Sequence, residues 1–194
     1  MNKKMASKKK IQIIEAAAKL FKERGYAAAS MRDVADEVNL TVSSLYSHIK
    51  GKDDLLRLIC FGNSEKFHDG ITSVEKKGKN DKERLRMLVR LHIVMSLEYS
   101  TTVTVFNDEW KHLPEPHLSF FKELRRSYEQ RVLRIIESGL TESGLDGRDS
   151  RLLMYSMLSS LNWLHYSAFY RNHPNRDSVI GELENMILRA IIGV

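Results

Sequence analysis

Residues 31–58 read MRDVADEVNLTVSSLYSHIKGKDDLLRL, and the fold turns on how this stretch divides. Met31 to Val38 has the spacing of a short amphipathic helix. Asn39 and Leu40 break it, and Val42 to Lys50 reads as a second short helix whose outward residues are small, hydroxylated or basic. Ser30 is placed to N-cap the first of these helices, with Asp33 three residues on to favour its free amides, and Thr41 is placed to cap the second. Two helices joined by a turn of about 3–4 residues, the second with a polar face, form the layout that sets a recognition helix in a DNA major groove.

On a helix starting near Val42, Leu45 and Ile49 fall on one side, with Leu40 just before, and can pin it to its predecessors. The opposite side shows Ser43, Ser47 and Lys50, flanked by Ser44 and Tyr46. Small hydroxyls let a backbone approach base edges, Val42 is suited to a thymine methyl, and Tyr46 and Lys50 are long enough for phosphates. A solvated polar face on a small helix is the bland alternative, and periodicity alone leaves it open.

Charge is distributed to match. Residues 1–57 hold 12 Lys and Arg against 7 Asp and Glu, so five of the chain's six surplus positive charges lie there. A polyanion attracts such a region and releases counterions on binding. Lys3, Lys4, Lys8, Lys9 and Lys10 read as a mobile basic arm ahead of a helix from about Ser7 to Arg24, with Ile14, Ala17, Ala18 and Phe21 as its apolar stripe and Gly25 as its stop.

The remaining pattern is helical. Helices are expected over about 53–76, 81–100 and 103–112, then from beyond Pro114 and Pro116 to about 138, and over about 149–171 and 176–192. Thr101 to Phe106 (TTVTVF) has strand-like residues, but one strand has no partner, so helix is expected there too. The fold class is therefore all-α with about nine helices: a three-helix DNA-binding domain over 1–52 and a helical body over 53–194. At 194 residues, 42% apolar and 29% charged, the composition is that of a soluble globular protein. No apolar run approaches a membrane span and the Lys-rich start lacks the core of a signal peptide, so no membrane contact is expected. One cysteine, Cys60, excludes an internal disulfide and suits a reducing cytoplasm.

KLFKERGY (19–26), SMRDVADEV (30–38) and SSLYSHIKGKDDLL (43–56) together resemble the N-terminal domain of the tetracycline-repressor (TetR) family over roughly residues 8–60. Phe21, Gly25, Tyr26, Ala35, Leu45, Tyr46, Lys52 and Leu55 carry the match in order. Asn39 stands where a turn glycine is usual, and Asn tolerates the left-handed conformation. Ala29 stands where a Thr is common. The resemblance implies that Tyr46 and Lys52 contact phosphates and that Val42, Ser43, Ser47 and His48 read bases. Lys8, Ser30, Arg32, Thr41, Ser44 and Lys50 complete the expected DNA-facing set.

It also implies a helical ligand-binding and dimerisation body. Leu152 to Tyr170 is apolar or weakly polar around its whole circumference, which calls for burial on two sides. Val179, Leu183, Met186, Ile187 and Ala190 stripe the last helix, so a homodimer through the last two helices is expected, on a near-palindromic double-stranded operator; a larger monomeric core is the alternative. Tyr99, Phe106, Trp110, Phe120, Phe121 and Tyr128 either pack a core or line an apolar effector cavity. FNDEWKHL (106–113), YEQRVLRIIESG (128–139) and the Asn162–Trp163 pair of SSLNWLHYSAFY are similar to the fatty-acyl-CoA-responsive branch of the family. That similarity implies a long apolar effector, with Tyr99, Phe106, Trp110, Phe121, Arg125, Tyr128, Asn162 and Tyr166 around it and Arg125, Arg126 or Arg171 toward its phosphates.

His112 and His117 flank HLPEPH, with Asp108, Glu109 and Glu115 nearby, but no tight ligand spacing appears, so no metal is expected. The absence of a P-loop, a dinucleotide fingerprint and a G-x-S-x-G motif leaves no cofactor and no catalytic residue to name. The expectation is a repressor released by a small apolar effector. Two alternatives remain: a DNA-organising or protein-interaction module without an effector, and a helical enzyme whose activity would survive Tyr46→Ala and Lys52→Ala.

Overall fold

A computed structural model describes residues 2–193, with side chains from Lys8 onward. The elements are α1 (Asn2–Arg24), α2 (Met31–Glu37), α3 (Val42–Tyr46), α4 (Lys52–Lys77), α5 (Asp81–Glu98), α6 (Ser100–Asp108), α7 (His117–Glu142), α8 (Ser150–Asn162), α9 (Ala168–Arg171) and α10 (Arg176–Ile192), with single 3-10 turns at Trp110–His112 and Trp163–His165. Among the described residues there is no strand, and TTVTVF is helical. No described helix is long and apolar enough to cross a membrane.

The chain packs as two compact units, Met1–Ser64 with Thr101–Glu123, and Glu65–Ser100 with Leu124–Val194. The first is built around Ala17, Ala18 and Phe21 of α1, Val34 and Ala35 of α2, Leu45 of α3, Leu55, Leu56 and Ile59 of α4, and Val105, Leu113 and Phe121, all nearly or wholly buried. The second is centred on α5, whose Leu85, Leu88, Val89 and Ile93 meet α8 and α10. Gly70 permits close approach within it, since a Cβ there would stand 2.5 Å from a methyl of Leu91.

Local chemistry explains the helix-turn-helix. Gly25 ends α1 at φ 81°, a conformation that favours glycine. Ser30 accepts from the Asp33 amide at 3.2 Å while Asp33 accepts from the Ser30 amide at 2.8 Å, a reciprocal capping box. The Ser30 hydroxyl and then the Ser30 amide, both donating to the Asp33 carboxylate, with Arg24 beside them, hold that carboxyl below the usual carboxylate range. Asn39 takes φ 53°, as the break between α2 and α3 requires. Asn39→Val should therefore cost about 1–2 kcal/mol while Asn39→Gly should be close to neutral, as read by urea unfolding. Equal stability of the two variants would refute the account.

Several boundaries differ from the sequence reading: the helix expected over 103–112 is Ser100–Asp108, and α7 runs past the expected end at 138 to Glu142. Lys8, Lys9 and Lys10 are helical residues of α1 and not an arm, as lysine's helix propensity allows; the side chains of Lys3 and Lys4 lie outside the described residues. The helix expected over Val42–Lys50 ends at Tyr46: Ser47 donates its amide to Ser44 O at 3.2 Å and its hydroxyl to the same carbonyl at 2.7 Å, tightening the last turn. The helix expected over 149–171 is interrupted after Asn162 by the 3-10 turn, and Ser167 starts α9 by accepting from the Tyr170 amide at 3.4 Å.

Candidate nucleic-acid interface

α3 is fastened by Thr41, which accepts from the Ser44 amide at 3.1 Å, and by Leu45, which is wholly buried. This anchoring leaves Ser43, Ser47 and Lys50 exposed, with Tyr46 51% exposed despite its aromatic ring. Ser44 and His48 are half-buried. Val42 is half-buried too and packs on the unit's core. Ser30, Arg32 and Lys8 are exposed, and Lys9 is tied back by donating to Val38 O at 3.1 Å.

Tyr46, Lys50 and Lys52 line one cleft of about 630 Å³ with Met31, Gly51, Asp53, Asp54, Arg57, Pro114 and His117. The two acids in it are engaged. Asp53 accepts from the Tyr26 hydroxyl. Asp54 accepts from Arg57 at 2.6 and 3.1 Å and from the Lys50 amide at 3.3 Å. Burial works to raise the Asp54 carboxyl, but Arg57, the Lys50 amide and Lys10 outweigh it and hold the group low. The lysines of the cleft therefore face acids already paired with other groups. Arg57 and His117 were not among the DNA-facing residues expected from sequence: one sits beyond the helix-turn-helix, and the other, weighed there only as a metal ligand, comes from the distant proline-bearing connection.

The aromatic residues expected around an effector divide between the two units. Phe106 and Trp110 pack against Phe121, with ring centroids 5.5 and 6.0 Å apart, in the core of the first unit. In the second unit, Tyr128 meets His92, Phe67 and His68: its hydroxyl is 3.0 Å from His92 Nε2, and the Phe67 and His68 rings each lie 5.5 Å away. Burial pushes the Tyr128 hydroxyl up, although Arg131 works against it, and burial pushes the His92 imidazole down to about 4. Tyr99 is 39% exposed with Lys66 Nζ 4.8 Å from its ring centre, Arg125 is half-buried, and Arg126 is exposed. Arg171 donates to Ser100 Oγ at 2.8 Å. Asn162 and Tyr166 are exposed, on the outward side of the 150–170 segment.

Two matches to known proteins bear on these elements. Residues 13–59 match the family described as bacterial regulatory proteins, tetR family. Residues 78–166 match the tetracyclin repressor-like C-terminal domain. The chain belongs to the TetR family. It is a DNA-binding transcription regulator, and not an enzyme, like the relatives it matches. Its sequence is 23% identical over 159 residues to the HTH-type transcriptional repressor KstR2 of Rhodococcus jostii, a match covering 81% of this chain and 78% of that one. The structure of the ketosteroid transcriptional regulator KstR2 of Mycobacterium tuberculosis shares the fold at a TM-score of 0.85 and 20% identity, covering 99% of this chain and 96% of the other. The crystal structure of AibR in complex with isovaleryl coenzyme A and operator DNA does so at a TM-score of 0.78 and 23% identity, covering 95% and 98%.

Proposed function

We propose that this regulator is a cytoplasmic homodimeric repressor that leaves a near-palindromic operator when an apolar acyl thioester of coenzyme A, or a related lipid, binds its helical body. The observation that carries the DNA half is the exposed row of Ser43, Tyr46, Ser47 and Lys50, continued by Lys52 along one cleft whose acids are already paired. The small hydroxyls are suited to base edges, and Tyr46, Lys50 and Lys52 to phosphates. Ser30, Arg32, Thr41, Ser44, His48 and Lys8 flank them. Residues 1–52 read DNA, and 53–194 bind the effector and the second copy.

The effector reading rests on the similarity of segments 106–113 and 128–139 and of the Asn162–Trp163 pair to the acyl-CoA-responsive branch. AibR, which shares the fold, has been crystallised with isovaleryl coenzyme A, which supports the same ligand chemistry. Coupling between effector and DNA is reciprocal, so operator DNA weakens effector binding by the factor by which effector weakens DNA binding.

The test is binding of the full-length protein to the DNA flanking its own coding region, against scrambled duplex, across a salt series. Specific binding that falls steeply with salt is expected, together with release by at least one acyl-CoA in a chain-length series. Specific binding that no acyl-CoA disturbs would remove the effector class. Equal binding to scrambled DNA would favour a DNA-organising role.

A further inference from the structure

The ammonium of Lys52 is held by two main-chain carbonyls and an aromatic face. Its Nζ donates to Ala27 O at 3.1 Å and to Ala29 O at 2.9 Å, and it stands 4.4 Å from the centre of the Tyr26 ring. An ammonium has three N–H donors, so two carbonyls and an aromatic face fix its position while leaving one proton for a further acceptor. Tyr26 is fixed in turn. It is 7% exposed, its hydroxyl donates to Asp53, Phe21 meets it edge-on at 5.1 Å, and the His112 ring stacks on it at 5.2 Å and 24°. His112 belongs to the 3-10 turn Trp110–His112, and its Nε2 lies 3.4 Å from Glu109 Oε2. A residue far along the chain thus braces the ring that braces the lysine.

We propose that Tyr26 and His112 are positioning residues for DNA binding: the stacked pair holds the Lys52 ammonium where a backbone phosphate meets it, so that the 110–112 turn tunes DNA affinity. The inference rests on the reading of Lys52 as a phosphate contact. A lysine that is fixed before DNA arrives loses little freedom on binding, whereas the same lysine on an unbraced stem must be ordered at that moment. The charge is identical in both cases, which separates positioning from simple electrostatics.

The experiment measures affinity of the full-length protein for a random-sequence duplex from low to moderate salt, where each phosphate contact contributes about 0.9 to the slope of log K against log salt. Lys52→Met should lower the slope by about that amount per reading head and weaken low-salt binding by roughly threefold to tenfold. His112→Ala and Tyr26→Leu should each reproduce most of that loss of low-salt affinity with Lys52 still present and the slope kept, and neither should add to Lys52→Met in the double variant. Tyr26→Phe and His112→Phe, which keep the rings, should keep the parent affinity. His112 is exposed, so its variants remain informative even if Tyr26→Leu does not fold. An unchanged slope in Lys52→Met would overturn the phosphate reading itself. A lowered slope there with no effect of His112→Ala, or with losses that add, would leave that reading intact and overturn the positioning role.

Discussion

For the proposed homodimer, Leu152→Glu combined with Phe169→Glu is expected to shift the protein to a monomer and to weaken operator binding by at least two orders of magnitude. Leu152 is 63% exposed and Phe169 68% exposed, and Tyr155, Trp163, Tyr166 and Met186 lie between 41% and 54%. Leu152, Tyr155, Ser159 and Asn162 recur at three- and four-residue spacing along the outward side of α8, while Met154, Met157 and Leu161 fill its inward side. Exposed large apolar side chains of this kind, carried by α8, α9, α10 and the turn at Trp163–His165, are what a second copy would cover. Burying each contributes about 1.5–3 kcal/mol, and a carboxylate forced into that contact costs further desolvation. Two-fold symmetry places every substitution twice, so the loss in association is on the order of 6 kcal/mol or more.

The fall in DNA affinity follows from geometry, since two linked heads gain by effective concentration what one head lacks. Sedimentation and operator titration check the two parts separately. Ile11→Glu is the control, because Ile11 is 52% exposed on α1, away from this row in sequence, and its replacement should leave association unchanged. A double variant that still sediments as a dimer would show that the row serves another purpose.

How much of this was legible beforehand depended on whether the signal was local. The caps at Ser30 and Thr41, the turn at Asn39 and the stop at Gly25 are decided by residues within four positions, and each is found as read. The early end of α3 was not legible, because the double use of Ser44 O by Ser47 follows from how tightly the turn closes. Nor was the break after Asn162, in a segment with neither proline nor glycine to mark it. On α10 the stripe read from spacing divides: Val179 and Ile187 are buried in their own unit, and Met186 and Ala190 face outward. Periodicity gives a direction but does not say which neighbour lies there. The same limit hid the division of Phe106, Trp110 and Phe121 from Tyr128, and the meeting of Tyr26, Lys52 and His112.

Acid should destabilise the second unit as the pH falls from 6.5 toward 4, a loss that begins above the range where carboxylates titrate, and His92→Gln should remove most of that sensitivity. His92 is 8% exposed on α5, with the Phe67 ring 5.3 Å and the Tyr128 ring 5.8 Å away. Burial lowers its pKa from the ordinary 6.5 to about 4. With its proton on Nδ1, the neutral ring accepts from the Tyr128 hydroxyl at 3.0 Å, and burial keeps that hydroxyl protonated as the donor. In this window the unfolded chain binds a proton at His92 that the folded chain refuses, so stability is full above about pH 6.5 and falls as the pH drops toward 4. A difference of that size corresponds to on the order of 3 kcal/mol, a large share of the 5–15 kcal/mol of a typical domain. Asp54 and Glu75, both held below their ordinary range, lose their contributions at lower pH and do not produce a slope above about pH 5. Glutamine keeps an acceptor for Tyr128 without the titration. Urea unfolding at steps from pH 7 to 4.5 should therefore show a falling midpoint in the parent and a nearly flat one in His92→Gln, and parallel curves would mean that His92 already finds a protonated form the fold can hold.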